Sequence, residues 1–452
     1  MLDYSFFAPR QIVFGWGRRA ELGTLAARHG HRALLVSGSR TLEANGIVEE
    51  LAAQLRAAGL EVRQFQADSR EPEVRDVDRL VGEFRALEPG RGDVVIAVGG
   101  GATIDLAKAA AALVTNRHGE SVEEFLEGVG RGLQITQPPL PLIALPTTAG
   151  TGAEATKNAV IASSSLLKKD RRVGPAALRR AGPPSNTETF LGGPALEASW
   201  SHPTDDFQPA ANTEATQIKD SAPSVTPAKP YKKSLRSEFM VPSLVLVDPE
   251  LTVSLPPGLT TLTGMDAITQ LIESFVSRRA APIPQALCLQ GLKLAIPALP
   301  IAVKDGSSRP AREAMAHAAL LSGIALANSG LGFAHGVAAA LGVTCQIPHG
   351  LACAVLLPAA LHVNLSVCTR QFAELERLFD PDSGHDTVAA NAFVDRIESL
   401  CALLEIPSRL RDLGVRQDQL AELVPGSRGN SMSGNPRDIS DQKLAQIIEG
   451  LW

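Results

Sequence analysis

DVVIAVGGGATIDLAKAAA, residues 93–111, decides the fold. Its first part, DVVIAVGG (93–100), is a short β-branched apolar run of the kind that forms a strand buried on both faces. ATIDLAKAAAALVTN (102–116) follows with the composition of a helix. Gly99, Gly100 and Gly101 join the two. A strand that runs through glycines into a helix brings the helix's unpaired N–H groups to the end of a sheet. Backbone without side chains can approach an anion closely there, and a pyrophosphate is the natural occupant. A tight turn with no ligand explains a glycine triplet at least as well. The spacing is neither the GxGxxG dinucleotide fingerprint nor a P-loop.

The same alternation extends outward. RALLVSGS (32–39), LEVRQFQA (60–67) and PLIALPTT (141–148) read as strands; NGIVEELAAQLRAAG (45–59) and EVRDVDRLVGEFRAL (73–87) read as helices. Short apolar runs alternating with helices of this length predict a parallel sheet covered on both faces. QIVFGWG (11–17) is expected to pair at one edge. From Leu259 the chain becomes rich in alanine and leucine with helical periodicity, which predicts an all-helical second domain. The expected fold class is therefore an α/β N-terminal dinucleotide-binding domain with a parallel sheet, residues 1–258, and a helical metal and substrate domain, residues 259–452. Residues 163–229 stand apart. They are polar and rich in proline, serine and threonine, too poor in apolar area to offset their ordering entropy, and are expected to form an inserted, flexible excursion. Ordinary surface helices in segments such as PAALRR are the other reading.

Composition narrows the function classes. A chain of 452 residues is too long for one hydrophobic core. With 44% apolar residues it is not wholly disordered. The 43 basic and 48 acidic residues give a net charge of −5, and no basic stripe argues for nucleic acid. Five cysteines, none in a CxxC pair, suit a reducing compartment. The opening MLDYSFFAPRQIVFG lacks the basic region of a signal peptide, and no apolar stretch is long and uninterrupted enough for a membrane span. A cytoplasmic protein without membrane contact is expected.

Two further stretches carry chemistry. LPTTAGTGAEAT places the hydroxyls of Thr147, Thr148 and Thr151 beside glycines just after a strand. Two donor-bearing loops at the carboxyl edge of one parallel sheet define a crevice for a nucleotide. In GMDAITQLIES, Asp266 and Gln270 are four apart and share one helix face. His335 opens HGVAAALG and His349 follows a strand or turn at IPHG. A carboxylate, an amide and two imidazoles can gather round one divalent cation; carboxylate and imidazole suit iron or zinc, and the amide oxygen is the weaker ligand. Taken one at a time, each of these side chains has a structural reading as well, as a buried polar contact, an N-cap or a salt-bridge partner.

Over residues 8–162 and 230–452 the chain resembles the iron-containing, or group III, alcohol dehydrogenase family. The motifs that carry the likeness fall in family order: PRQIVFGWG, GGGATIDLAK, PTTAGTGAEAT, FMVPSLVLVDPELTVSLPP, TGMDAITQLIE, GLGFAHG, IPHG and GNPRDIS. NAVIASSS and PYKKSLRS look like two halves of one family segment, so the insertion is expected to interrupt a β-excursion. The resemblance implies NAD or NADP as cofactor, interconversion of an alcohol with an aldehyde or ketone, and an active site between the two domains. It implies Gly99, Gly100 and Gly101 over the pyrophosphate, with Ala102 where the family has serine. Asp105 and Lys108 are implied on the following helix, Lys108 near the cofactor or the cleft, and Thr147, Thr148 and Thr151 along the ribose and nicotinamide. It also implies a catalytic centre at Asp266, His335 and His349, a divalent metal held by these three with Gln270, and a homodimer.

Two departures accompany the likeness. Gln270 stands where the family's fourth ligand is histidine, and Ala339 stands where a further histidine would lie near the substrate. Some relatives, of the maleylacetate-reductase type, reduce activated substrates without a metal, and a nucleotide-binding protein that has lost its chemistry is a third reading. After RALLVSG, NAD-using members commonly carry an aspartate where Gly38 stands. A glycine there removes repulsion of a 2′-phosphate and Arg40 could add a counter-charge, a slight lean to NADP.

Overall fold

The computed structural model describes residues 4–38, 40–68, 70–163 and 230–452. The excursion expected over 163–229 lies, apart from Ser163, outside the described residues. In the N-terminal half, β1 (Gln11–Phe14), β2 (Arg32–Ser37), β3 (Glu61–Gln66), β4 (Asp93–Gly99) and β5 (Leu142–Pro146) alternate with α1 (Leu22–Ala26), α2 (Arg40–Ala44), α3 (Ile47–Ala57), α4 (Val74–Arg85) and α5 (Gly101–Thr115). Two strands, β6 (Asn158–Ala162) and β7 (Lys232–Arg236), stand outside the main sheet, and β8 (Leu244–Val247) returns to it. The six-stranded sheet has the order β1-β8-β5-β4-β2-β3 and every pairing in it is parallel. The opening strand β1 sits at one edge, as expected.

Side-chain alternation explains the layers. In β2, Leu34 and Val36 join Val95 and Ala97 of β4 under α4 and α5, while Ala33 and Leu35 join Val94, Ile96 and Val98 on the face covered by α1 and α3. Every residue of β4 is buried, so its run of valine and isoleucine needs no polar positions. β3 closes the other edge and shows the exposure expected of one.

β6 and β7 pair antiparallel, with Asn158 opposite Arg236 and Ala162 opposite Lys232. Beyond the last pair, Ser163 N donates to Tyr231 O at 2.9 Å and Tyr231 N to Ser163 Oγ at 3.0 Å. The insertion thus interrupts a β-hairpin, as the two half-segments implied.

The C-terminal half is all helical: α6 (Pro257–Val276), α7 (Pro282–Lys304), α8 (Arg309–Asn328), α9 (Phe333–Thr344), α10 (His349–Glu376), α11 (Asp386–Leu403), α12 (Leu420–Gly426) and α13 (Asp441–Leu451). α6 starts on proline, whose missing N–H costs nothing in a first turn. It is buried on every side from Gly264 to Val276 and forms the centre of the bundle against α7, α8 and α10. By mean hydropathy and length α7 and α10 would suffice to cross a membrane, although no apolar stretch of the sequence is unbroken. Both give their apolar faces to the bundle instead: Cys288, Leu292, Ala295 and Leu299 of α7 and Ala354, Leu357 and Leu361 of α10 lie in one core.

The halves meet through small residues. Gly152, with φ +61°, lies so close to α8 that a Cβ there would stand 2.4 Å from Gly323 Cα. A Cβ on Gly150 would stand 2.7 Å from Thr263 Cβ, one turn before Asp266 on α6. The threonine-glycine loop after β5 is therefore seated directly on the helical half.

Candidate active site

Three helices build the polar cluster. Asp266 and Glu273 lie two turns apart on α6, His335 is the third residue of α9, and His349 and Cys353 occupy the first two turns of α10. The return of the chain between α9 and α10 brings the two imidazole centroids to 5.4 Å. Asp266 Oδ1 lies 3.3 Å from His335 Nε2 and 3.8 Å from His349 Nε2. Cys353 Sγ lies 3.7 Å from His349 Nε2. One donor atom from each of Asp266, His335, His349 and Cys353 falls within 4.8 Å of all the others. The first two residues and Cys353 are buried; the His349 side chain keeps 31% of its surface accessible.

The rings are set by their surroundings. Glu273 takes a hydrogen bond from His335 Nδ1 at 2.7 Å, which turns Nε2 toward Asp266. The same carboxylate accepts from Gly332 N at 3.0 Å and Ala334 N at 2.6 Å, so it also satisfies the open N–H groups at the start of α9. Asn435 Oδ1 accepts from Phe333 N and from Asn364 Nδ2, which completes the cap. Burial alone would raise the Asp266 carboxyl, but the hydrogen bond from His335 and the charge of His349 hold it below its ordinary value. His335 is lowered by burial and raised more strongly by Cys353, Asp266 and Glu273, and ends well above the usual imidazole value. Removal from water, joined by Lys232 and His335, keeps His349 below it against the pull of Asp266.

The donors fit a divalent metal. A tetrahedral zinc-like ion with ordinary bond lengths has N–O edges of about 3.3 Å and N–S edges of about 3.6 Å, close to the observed spacings. A carboxylate, two imidazoles and a thiol are the ligand chemistry of zinc and iron rather than of magnesium or calcium. Gln270 is buried on α6, and its Oε1 accepts a hydrogen bond from Ser322 Oγ at 2.9 Å.

The nucleotide-side residues also converge. Gly38 follows β2, and Gly99 and Pro146 end the adjacent strands β4 and β5; the reversal of strand order falls between β2 and β4. Thr147 N donates to Gly99 O at 3.0 Å. A Cβ on Gly101 would lie 2.5 Å from Thr151 Oγ1, and one on Gly100 would lie 3.4 Å from Thr148 Cγ2, so the two loops line one crevice. Gly100 caps α5 without a side-chain hydrogen bond, which leaves that helix start suited to a phosphate. Gly38 faces Thr103: a Cβ there would stand 1.9 Å from Thr103 Oγ1. Arg40 is exposed at the first position of α2.

Asp105 and Lys108 behave differently from each other. Asp105 Oδ2 accepts from Val160 N at 3.0 Å, while its buried Oδ1 has no hydrogen-bond partner. Burial holds this carboxyl up at about 6, against the opposing charge of Lys108. Lys108 is 1% exposed and spends its ammonium protons on Ala153 O, Thr156 O, Thr156 Oγ1 and Asn158 O. It clamps α5 to the turn after β5.

Four neighbours escaped the sequence reading. Cys353 follows His349 by four, the same spacing that drew attention to Gln270 after Asp266, and that signal could have found it. Glu273 reads as one polar residue on an apolar helix. Thr103 is visible only once β2 and β4 lie side by side. Lys232, on the hairpin, pairs with Glu71, and its charge bears on both Asp105 and His349.

Comparison with known proteins agrees with this arrangement. Residues 9–178 match the iron-containing alcohol dehydrogenase family and residues 260–452 match the C-terminal part of the Fe-containing alcohol dehydrogenase family. The chain is 31% identical to the 1,3-propanediol dehydrogenase of Klebsiella pneumoniae over 99% of its own length and 98% of that protein. It is 29% identical to the NAD-dependent methanol dehydrogenase of Bacillus methanolicus over 98% and 99% of the two chains. The solved sulfoacetaldehyde reductase from Bifidobacterium kashiwanohense, in complex with NAD+, superposes with a TM-score of 0.76 at 27% identity, covering 100% of this chain and 99% of that one. The parallel nucleotide sheet, the helical half with its acid, imidazole and thiol cluster, and these full-length matches together establish that the chain belongs to the iron-containing alcohol dehydrogenase family, whose members are NAD(P)-dependent oxidoreductases.

Proposed function

We propose that the protein transfers hydride between the carbinol carbon of a small alcohol and nicotinamide C4, with Asp266, His335 and His349 holding a divalent metal. One observation carries the reading: the Thr147–Gly152 loop of the nucleotide crevice packs on α6 at Thr263, one turn from Asp266. That contact supports a cofactor bound in the crevice facing the donor cluster. When bound, the metal supplies Lewis acidity that polarises a substrate oxygen and eases loss of its proton. The chain does the rest. The glycine loop and the start of α5 receive the pyrophosphate, and Thr147, Thr148 and Thr151 orient the ribose and nicotinamide. Glu273 holds His335 in one tautomer. Fixing both reactants in one geometry lowers the entropic barrier. Ala339 carries no proton, so the proton leaves through water or the ribose hydroxyls.

Gly38 and Arg40 support NADP as the better cofactor. Comparing kcat/KM for NAD and NADP tests this, and a strong NAD preference overturns it. The division into a nucleotide domain, 1–258, and a metal domain, 259–452, a homodimer and a cytoplasmic location belong to the same reading. All five cysteines are free, which supports a reducing compartment.

The deciding experiment measures coenzyme oxidation or reduction over a panel of short alcohols and aldehydes, before and after chelation and again after return of iron or zinc. Turnover lost on chelation and restored by metal is expected. Turnover that survives chelation replaces the metal enzyme with a metal-free reductase, and coenzyme binding with no turnover leaves only a nucleotide-binding protein.

A further inference from the structure

We infer that Cys353, as a thiolate, is the fourth metal ligand of this site and that Gln270 is not one. The inference rests on the metal-dependent reading above and narrows it. Cys353 is fully buried, one helical turn after His349 on the same face of α10. Its sulfur is 3.7 Å from His349 Nε2 and within 4.8 Å of the donor atoms of Asp266 and His335. That is the separation expected between sulfur and nitrogen bound to one tetrahedral ion. The Gln270 amide oxygen, by contrast, is turned to Ser322 Oγ of the neighbouring α8 at 2.9 Å, a hydroxyl that also reaches Ala319 O.

Charge points the same way. Asp266 and Gln270 with two neutral imidazoles would bring one negative charge to a dication in a water-poor site. Asp266 with a Cys353 thiolate brings two, and the charge is balanced within the cluster. A thiolate also changes which ion is held. Sulfur favours zinc, iron and cobalt and disfavours magnesium and manganese. The Gln270 departure from the family's histidine is then offset by a ligand that enters from a different helix.

Cobalt reports the answer optically, with neither coenzyme nor substrate present. The purified full chain, stripped and reloaded with Co2+, is expected to show a sulfur-to-cobalt charge-transfer band in the near ultraviolet beside visible ligand-field bands. Cys353→Ser should lose the first, keep the second, and bind cobalt at least about tenfold more weakly. Gln270→Ala should keep both bands and full stoichiometry. The wild-type spectrum needs no variant, so a Cys353→Ser protein that fails to fold does not spoil the test. Stoichiometric cobalt without the sulfur band in the wild type, or the band persisting in Cys353→Ser, overturns the thiolate ligand and leaves the metal reading standing. Loss of cobalt from Gln270→Ala overturns the exclusion of Gln270. A wild-type chain that takes up no cobalt overturns both readings together.

Discussion

Two buried polar clusters sit within this molecule and they are built on opposite principles. Around Lys108 the ammonium is shared among four protein oxygens and the result is a clamp, with Asp105 Oδ1 held 3.8 Å away as its ion-pair partner. Around Asp266 the groups converge on one another, and the His335–Asp266 contact at 3.3 Å is the one hydrogen bond between them among carboxylate and rings. A carboxylate, a ring nitrogen and a sulfur face inward together, and only the rear of His335 is tied down, by Glu273. Burial alone does not distinguish structure from chemistry. What distinguishes them is whether the donors and acceptors are spent.

The sharpest way to break this comparison is to remove Asp266. Asp266→Ala should abolish metal binding and lower kcat/KM by at least about a thousandfold, the loss of several kcal/mol of transition-state stabilisation. Metal analysis and steady-state kinetics read it, and a variant that keeps both metal and rate makes the cluster structural. Lys108→Met should do the reverse. It strands buried carbonyls and the Asp105 carboxylate, so unfolding in urea should reveal a loss of about 3 kcal/mol, with metal stoichiometry retained. If metal leaves with Lys108, the two clusters are not separable. Glu273→Gln should fall between them, weakening metal affinity roughly 10–100-fold by loosening His335 while the fold persists. Competition against a chelator measures this, and unchanged affinity would confine Glu273 to capping α9.

The smallest effect is a pH slope. Burial holds Glu154 up at about 7, from 4.5, and Asp105 at about 6, from 3.8. The folded chain keeps these protons after the unfolded chain has released them, so stability should decline as pH climbs from about 4 to about 7. Lys108, held down at about 8 by burial, acts in the opposite sense above that pH. Glu154→Gln should flatten the decline in denaturation midpoint across the acidic window. An unchanged slope would remove Glu154 as its source.

The same contrast explains what could be read without coordinates. The sheet was legible because RALLVS alternates between two cores and DVVIAVG is apolar throughout, patterns that local periodicity carries directly. The glycine and threonine loops were legible because each ends a strand. Asp266, His335 and His349 were legible as residue types with a family order. Cys353 was harder to see, since within LACAVLL a cysteine looks like any small core residue; its spacing of four from His349 is the one local mark, and Asp266 joins it only where α6 meets α10. For Lys108 the resemblance implies a place near the cofactor or the cleft. Its clamp depends on the left-handed turn at Gly152, which folds Ala153 and Thr156 back over α5, and such a long-range return leaves no mark in the spacing.

The β6–β7 hairpin also bears on how this chain tolerates change. Its last rung, Ser163 to Tyr231, holds the two ends within hydrogen-bonding distance. Splicing a four-residue turn across that rung in place of 164–229 should leave both strands paired as they are. The hairpin is a socket into which sequence can be added or withdrawn while the scaffold around it stays in register.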